Sequence, residues 1–192
     1  MNPREQARLF RNTIGLTESQ EQAVRNFRRL LSAGRDGTPS TQALNRALSD
    51  GRFDRTVRRA IRQGDILSSA QVERMVDRYR ERYVKYRAEV VARTEALRSV
   101  HEGTEEMYRQ AIELGQFRED QLQRTWVTAG DERVRGSHRA LNGEVRGLDG
   151  VWEAQGGTLR YPGDPNAPAS ESISCRCVLS TRVVPPSDDR NV

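Results

Sequence analysis

The apolar positions of this chain fall into helical stripes over its first two thirds and then switch to alternation. Ala23, Val24, Phe27, Leu30 and Leu31 recur at i, i+4 and i+7 behind a start marked by Thr17, Gln20 and Glu21, and predict a first helix. Gly34, Gly37 and Pro39 break it. A second, short helix is predicted behind Ser40 or Thr41, with Leu44, Ala47 and Leu48 inward and Asp50-Gly51 as its stop. A third carries Phe53, Val57, Ala60 and Ile61 and ends at Gly64-Asp65.

From Ser68 or Ser69 the pattern becomes more regular. Val72, Val76, Tyr79, Tyr83, Tyr86 and Val90 advance in steps of four and three, and Leu97, Val100, Met107, Ala111 and Leu114 continue the register. This predicts a heptad-patterned helix, or a helix pair, over 67–115, with Gly103 and Gly115 as candidate breaks. Arg93 stands where the seam calls for an apolar residue, so it either snorkels to water or joins Glu95 in a polar cluster with later residues. After Gly115 the period falls to two, with Leu122, Arg124 and Trp126 on one side of a predicted strand. Thr128 and Asp131 are spaced as a capping box for a helix through Leu141 that Gly143 ends. Short strands are predicted over 144–146, 151–154, 158–161 and 175–184.

The fold class these elements predict is α+β: a mainly helical N-terminal part with a long helix, then a small domain of short strands and one or two helices. The organisation reads as short arginine-rich helices over 1–66, the long helix over 67–115, the small domain over 116–184 and a polar, disordered tail over 185–192. With 35% of its 192 residues hydrophobic and 31% charged, the chain is not expected to bury one large core.

Charge adds a second feature. The net charge of +5 comes almost wholly from arginine, since Lys85 is the sole lysine. Arginines crowd the first three helices, and Arg55, Arg58, Arg59 and Arg62 are the candidate nucleic-acid-binding set. The same row also reads as a surface for an acidic protein neighbour or simply as a solvated face, and the solvated face is the favoured reading because no aromatic residues interleave the row for base stacking. No apolar run reaches the roughly 20 residues of a membrane span, and Met1-Asn2-Pro3-Arg4-Glu5 offers no apolar signal region, so the expectation is a protein made in the cytoplasm without membrane contact.

The chemically distinctive residues are concentrated between Trp126 and Cys177. Both tryptophans, both cysteines and one of the two histidines lie there. An i,i+2 disulfide is strained, so Cys175 and Cys177 are expected as free thiols. On a strand they point to one face, where they are placed to meet a residue from elsewhere. Cys175, Cys177, His138 and Asp131 form a candidate tetrahedral zinc set. The alternative is a metal-free polar cluster of Arg93, Glu95, Asp131, Arg133, Arg135 and His138 against which the thiols merely pack. A metal-dependent hydrolase or nuclease using His138, Asp131 and Glu95 is a further reading. Against it, no nucleophile, phosphate-loop or dinucleotide motif accompanies them, and residues seven apart lie about 10 Å apart along a helix.

The order Ala92-Arg93-Thr94-Glu95, Trp126, Asp131-Glu132-Arg133-Val134-Arg135-Gly136-Ser137-His138, Leu141-Asn142-Gly143, Pro162-Gly163-Asp164-Pro165 and Cys175-Arg176-Cys177 resembles the C-terminal domain of the phage Mu F-like head morphogenesis family. The resemblance spans about residues 85–178 and departs at Ile173-Ser174, where the family typically has Ile-Asn. It implies a minor head protein of a tailed bacteriophage, present in few copies in the virion, inside the capsid. The partners it implies are the portal protein and the major capsid or scaffold protein, with contact to packaged double-stranded DNA.

Overall fold

Thr17 caps the first helix through a reciprocal pair: its hydroxyl accepts from the Gln20 amide at 3.3 Å, and its own amide donates to the Gln20 side chain at 3.1 Å. The computed structural model describes residues 15–185, so residues 186–192 of the expected disordered tail lie outside the described residues. The chain is α+β and divides into two compact units between Glu89 and Val90, inside the long helix rather than at its ends.

In the first unit, helix α1 (Glu18–Leu30) turns Val24, Phe27 and Leu30 inward. Helix α2 (Asp54–Gln63) contributes Val57 and Ala60 and ends on Gly64 in the left-handed region, φ 72°. Helix α3 (Ser69–Glu113) starts behind Ser68, which exchanges hydrogen bonds with Gln71, and contributes Met75, Val76 and Tyr79. The Phe27 and Tyr79 rings stack at 4.2 Å, and Tyr83 meets Tyr79 edge-on at 5.0 Å. The expected second helix is only a 3₁₀ turn, Thr41–Asn45. Its tighter winding buries Ala43 and leaves Ala47 exposed, while Leu44 and Leu48 pack at the margin of the core. Asp50 ties the surface together: it accepts from the Arg52 amide and pairs with Arg52 at 2.6 Å and Arg78 at 3.2 Å.

Helix α3 runs unbroken through Gly103. Within the second unit its inward row is Thr94 and His101, both buried, with Leu97 between them and Glu105 and Tyr108 one and two turns on partly buried. The expected heptad seam does not continue there, since Val100, Met107 and Leu114 are exposed, as is Tyr86 before them. A 3.5-residue seam persists only where a partner helix follows it. Here the later row is set by a sheet and a turn instead, and Arg93 falls outside it, exposed.

That sheet has strand β1 (Leu122–Val127) at its centre, antiparallel to β2 (Val145–Arg146) on one side and to a longer last strand on the other. The intervening hairpin pairs β3 (Trp152–Ala154) with β4 (Gly157–Leu159). The last strand, β5 (Val178–Val183), pairs along the full length of β1, Leu122 opposite Val183 and Trp126 opposite Leu179. Leu122, Arg124 and Trp126 all face inward, as the alternation predicts. The Arg124 guanidinium is fully buried, donating to the carbonyls of Gly147 (2.9 Å), Gly150 (2.8 Å) and Arg160 (3.2 Å), pairing with Glu105 and lying 5.1 Å from the Trp152 ring centroid.

Tyr161-Pro162-Gly163-Asp164 forms a tight turn, closed by the Asp164 amide on the Tyr161 carbonyl at 3.2 Å. Gly163 has φ 83°, and a Cβ there would approach Leu97 Cδ2 to 3.2 Å, so the glycine serves both the turn and the close helix contact. Asp164 is buried and accepts from the Arg160 amide (3.0 Å), the Arg160 guanidinium (2.8 and 2.9 Å) and the Asn166 amide (2.9 Å). Burial pushes its carboxyl up, but the Arg160 guanidinium and the two amides outweigh that and hold it below the usual range. A depressed folded value means that the unfolded chain takes up the proton first. The stabilisation is therefore present above about pH 3.9 and is lost as pH falls below it. Asp164→Asn is expected to cost about 2 kcal/mol at neutral pH and to flatten the acid limb of an unfolding curve measured between neutral and acid pH. An unchanged acid limb would contradict this.

Candidate metal centre

Three short segments converge on one buried point. Helix α4 (Gly136–Ala140) presents His138, helix α5 (Ala169–Ser172) presents Glu171, and the extended lead-in to β5 presents Cys175 and Cys177. The two cysteines precede the strand rather than lying on it, yet the period of two survives: both thiols are buried and Arg176 between them is exposed. His138 Nδ1 is 3.5 Å from Cys175 Sγ and 3.6 Å from Cys177 Sγ. One donor atom from each of the three residues lies within 4.8 Å of the others.

On one side this trio is packed by aromatic rings. Trp126 meets the His138 ring edge-on at 5.3 Å and Trp152 at 5.4 Å. Its buried indole nitrogen makes no hydrogen bond among the described residues. On the far side of the imidazole, Nε2 is 2.9 Å from Glu171 Oε2. Among the described residues Nε2 has no regular hydrogen bond, and this carboxylate is the charged group facing it. The same carboxylate oxygen accepts from Ser137 Oγ at 2.9 Å. Glu171 is itself buried, and a Cβ on Gly156 would come within 2.6 Å of Glu171 Oε1, so the glycine makes room for the carboxylate.

The thiols titrate as a pair. Cys177 and His138 beside it pull the Cys175 thiol down from its ordinary value against the cost of burial. Cys177 moves the opposite way, pushed up by its neighbour Cys175 and by burial.

Ser174 sets the approach of this segment. It is in the left-handed region, φ 56°, and its amide donates to Thr94 Oγ1 at 3.1 Å. Asparagine tolerates that conformation better than serine, so Ser174→Asn is expected to stabilise the fold by up to about 1 kcal/mol. Thermal melting checks this, and a lower melting temperature would contradict it.

The other residues singled out in the sequence are placed elsewhere. Asp131 is not at the thiols: it accepts from the Arg133 amide at 3.1 Å, closing a turn, and pairs with Arg176 at 2.5 Å. The expected capping box fails for the same reason. Thr128 bonds Asn142 instead, and the helix begins only at Gly136. Glu95 is exposed and pairs with Arg98 at 2.7 Å, Arg135 donates to the Ile173 carbonyl, and Arg133 is exposed. The six-residue polar cluster therefore does not assemble, and His138, Asp131 and Glu95 do not share one site. Glu171 went unnoticed in the sequence. Its signal is faint, a lone carboxylate four residues before the first cysteine. Arg124 was read as an alternating strand position and not as a buried cation.

Cys175 and Cys177 also line a mainly apolar cavity of about 470 Å³, with His101, Leu97, Tyr108 and Leu179. His101 is buried, its Nε2 has no hydrogen-bond partner among the described residues, and burial lowers its tendency to protonate.

The model of one protein family, described as Phage Mu protein F like protein, matches residues 41–180. The match covers helix α2, all of α3 and the sheet as far as Ser180, and so extends beyond the 85–178 stretch that carried the resemblance. No curated protein and no solved structure matches the chain. With more than two thirds of its length matched, the chain belongs to the Phage Mu protein F like family, a family of phage head morphogenesis proteins.

Proposed function

We propose that this chain is a minor head protein that binds the portal or the inner capsid, or its scaffold, while the phage head is assembled, and that it remains inside the virion. The observation that carries this reading is the family match over residues 41–180. Two features agree with it. The described residues contain no helix long and apolar enough to cross a membrane, and the surface is dense in arginine, suited to acidic neighbours. The test is capture of a tagged chain from phage-producing cells. Portal or major capsid protein recovered in stoichiometric excess over an untagged control is expected, and recovery of neither would count against the reading.

A second contact, with packaged DNA, is favoured by one observation. Arg55, Arg58, Arg59 and Arg62 are all exposed and recur at i, i+3, i+4 and i+7 on α2, opposite buried Val57 and Ala60. Only Arg58 has a carboxylate in reach within the helix, Asp54 at 4.0 Å. Each phosphate contact contributes about 0.9 to the slope of log affinity against log salt. Replacing all four arginines by glutamine is expected to flatten that slope by up to about 3 to 4 and to weaken duplex binding at low salt. Identical salt curves for the two proteins would remove α2 from any DNA contact.

A further inference from the structure

We infer that Cys175, Cys177 and His138 hold a zinc ion, with Glu171, and not Asp131, as the residue that orients the histidine. The donor set is the starting point. Two thiolates and one imidazole are soft to borderline ligands, suited to zinc and unsuited to calcium or magnesium, which take oxygen. In a tetrahedral site with Zn–S near 2.3 Å and Zn–N near 2.0 Å, a sulfur and a nitrogen ligand lie about 3.5 Å apart. The observed separations of Nδ1 from the two sulfurs are 3.5 and 3.6 Å. A single ring nitrogen offers one lone pair or one N–H, so it cannot direct a good hydrogen bond to both sulfurs at once. A cation between the three atoms satisfies all of them.

The surroundings fit the same occupant. Ligation through Nδ1 puts the imidazole proton on Nε2, and Glu171 Oε2 is 2.9 Å from that atom, held by Ser137. A carboxylate behind a metal-bound imidazole fixes its tautomer and raises its basicity. This explains a buried glutamate and a buried Nε2 that otherwise lack a formed bond to each other. The charge of the ligands fits as well: zinc binds both sulfurs as thiolates, any thiol proton leaving to solvent, and the two thiolates neutralise the ion. The fourth position is left to a water from the cavity that both cysteines line.

Full-length protein purified without chelator, and refolded with excess zinc, is expected to carry one zinc per chain by elemental analysis. Its two thiols should resist a thiol reagent until a chelator is added. Cobalt in place of zinc is expected to give tetrahedral visible bands with thiolate charge transfer. Glu171→Gln, which removes no ligand, should weaken zinc affinity about 10- to 100-fold, whereas Asp131→Asn should leave it unchanged. Wild-type protein that refolds without metal and shows equally reactive thiols with and without zinc would overturn the site. Equal zinc affinity in wild-type and Glu171→Gln would overturn the role given to Glu171, and a weakened Asp131→Asn would return the fourth ligand to Asp131.

Discussion

Arg124→Met is expected to destabilise the second unit by about 3–5 kcal/mol, the cost of removing one partner from a buried ion pair. The guanidinium satisfies three carbonyls and the Glu105 carboxylate at once, with side-chain exposures of 2% for Arg124 and 13% for Glu105. Methionine fills much of the volume but leaves Glu105 charged, half-enclosed and without a cation. Burial already raises the Glu105 carboxyl, and losing Arg124 would raise it further. The double variant Arg124→Met with Glu105→Leu should recover part of the loss, because it removes the stranded charge as well. Chemical unfolding followed by tryptophan fluorescence reads both, since Trp152 lies against the guanidinium. A loss below about 1 kcal/mol in the single variant would show that the buried pair contributes no more than a surface one.

Tyr79→Asp is expected to unfold the first unit or to cost it several kcal/mol, because an unpaired carboxylate would replace a ring that is 2% exposed and stacked on Phe27. The instructive comparison is Tyr86→Asp. Tyr86 stands in the same sequence register but is 50% exposed, so its replacement should change stability by no more than about 0.5 kcal/mol. Urea unfolding of the two variants separates a local packing row from a continuous seam. Equal, large losses would mean that the whole stripe is buried.

How far the fold was legible follows from the range of each signal. Helices α1 and α2 were readable because their stripes and caps are local: Thr17 with Gln20, Val57 with Ala60, and Gly64 act within a few residues. The alternation of β1 was readable for the same reason, including the inward position of Arg124. What occupies that inward position was not, since its carbonyl partners come from Gly147, Gly150 and Arg160, far along the chain. The long helix misled in a different way. Tyr86, Val100 and Met107 keep a seven-residue rhythm without a partner to follow it, and periodicity alone does not say what a face meets. The trio His138, Cys175 and Cys177 could be proposed from residue rarity. Its buried carboxylate could not, because Glu171 is a lone acidic residue with no motif around it, and Asp131 stands as the candidate until the turn that pairs it with Arg176 is seen.

The most direct measurement is quantitative mass spectrometry of purified heads from the phage or induced prophage that encodes this chain. A minor head protein should co-sediment with the capsid through density banding and nuclease treatment, at a copy number comparable with the portal and far below the major capsid protein. Peptides of this chain found in the soluble fraction of the same cells, and absent from both heads and assembly intermediates, would contradict a place in the phage head.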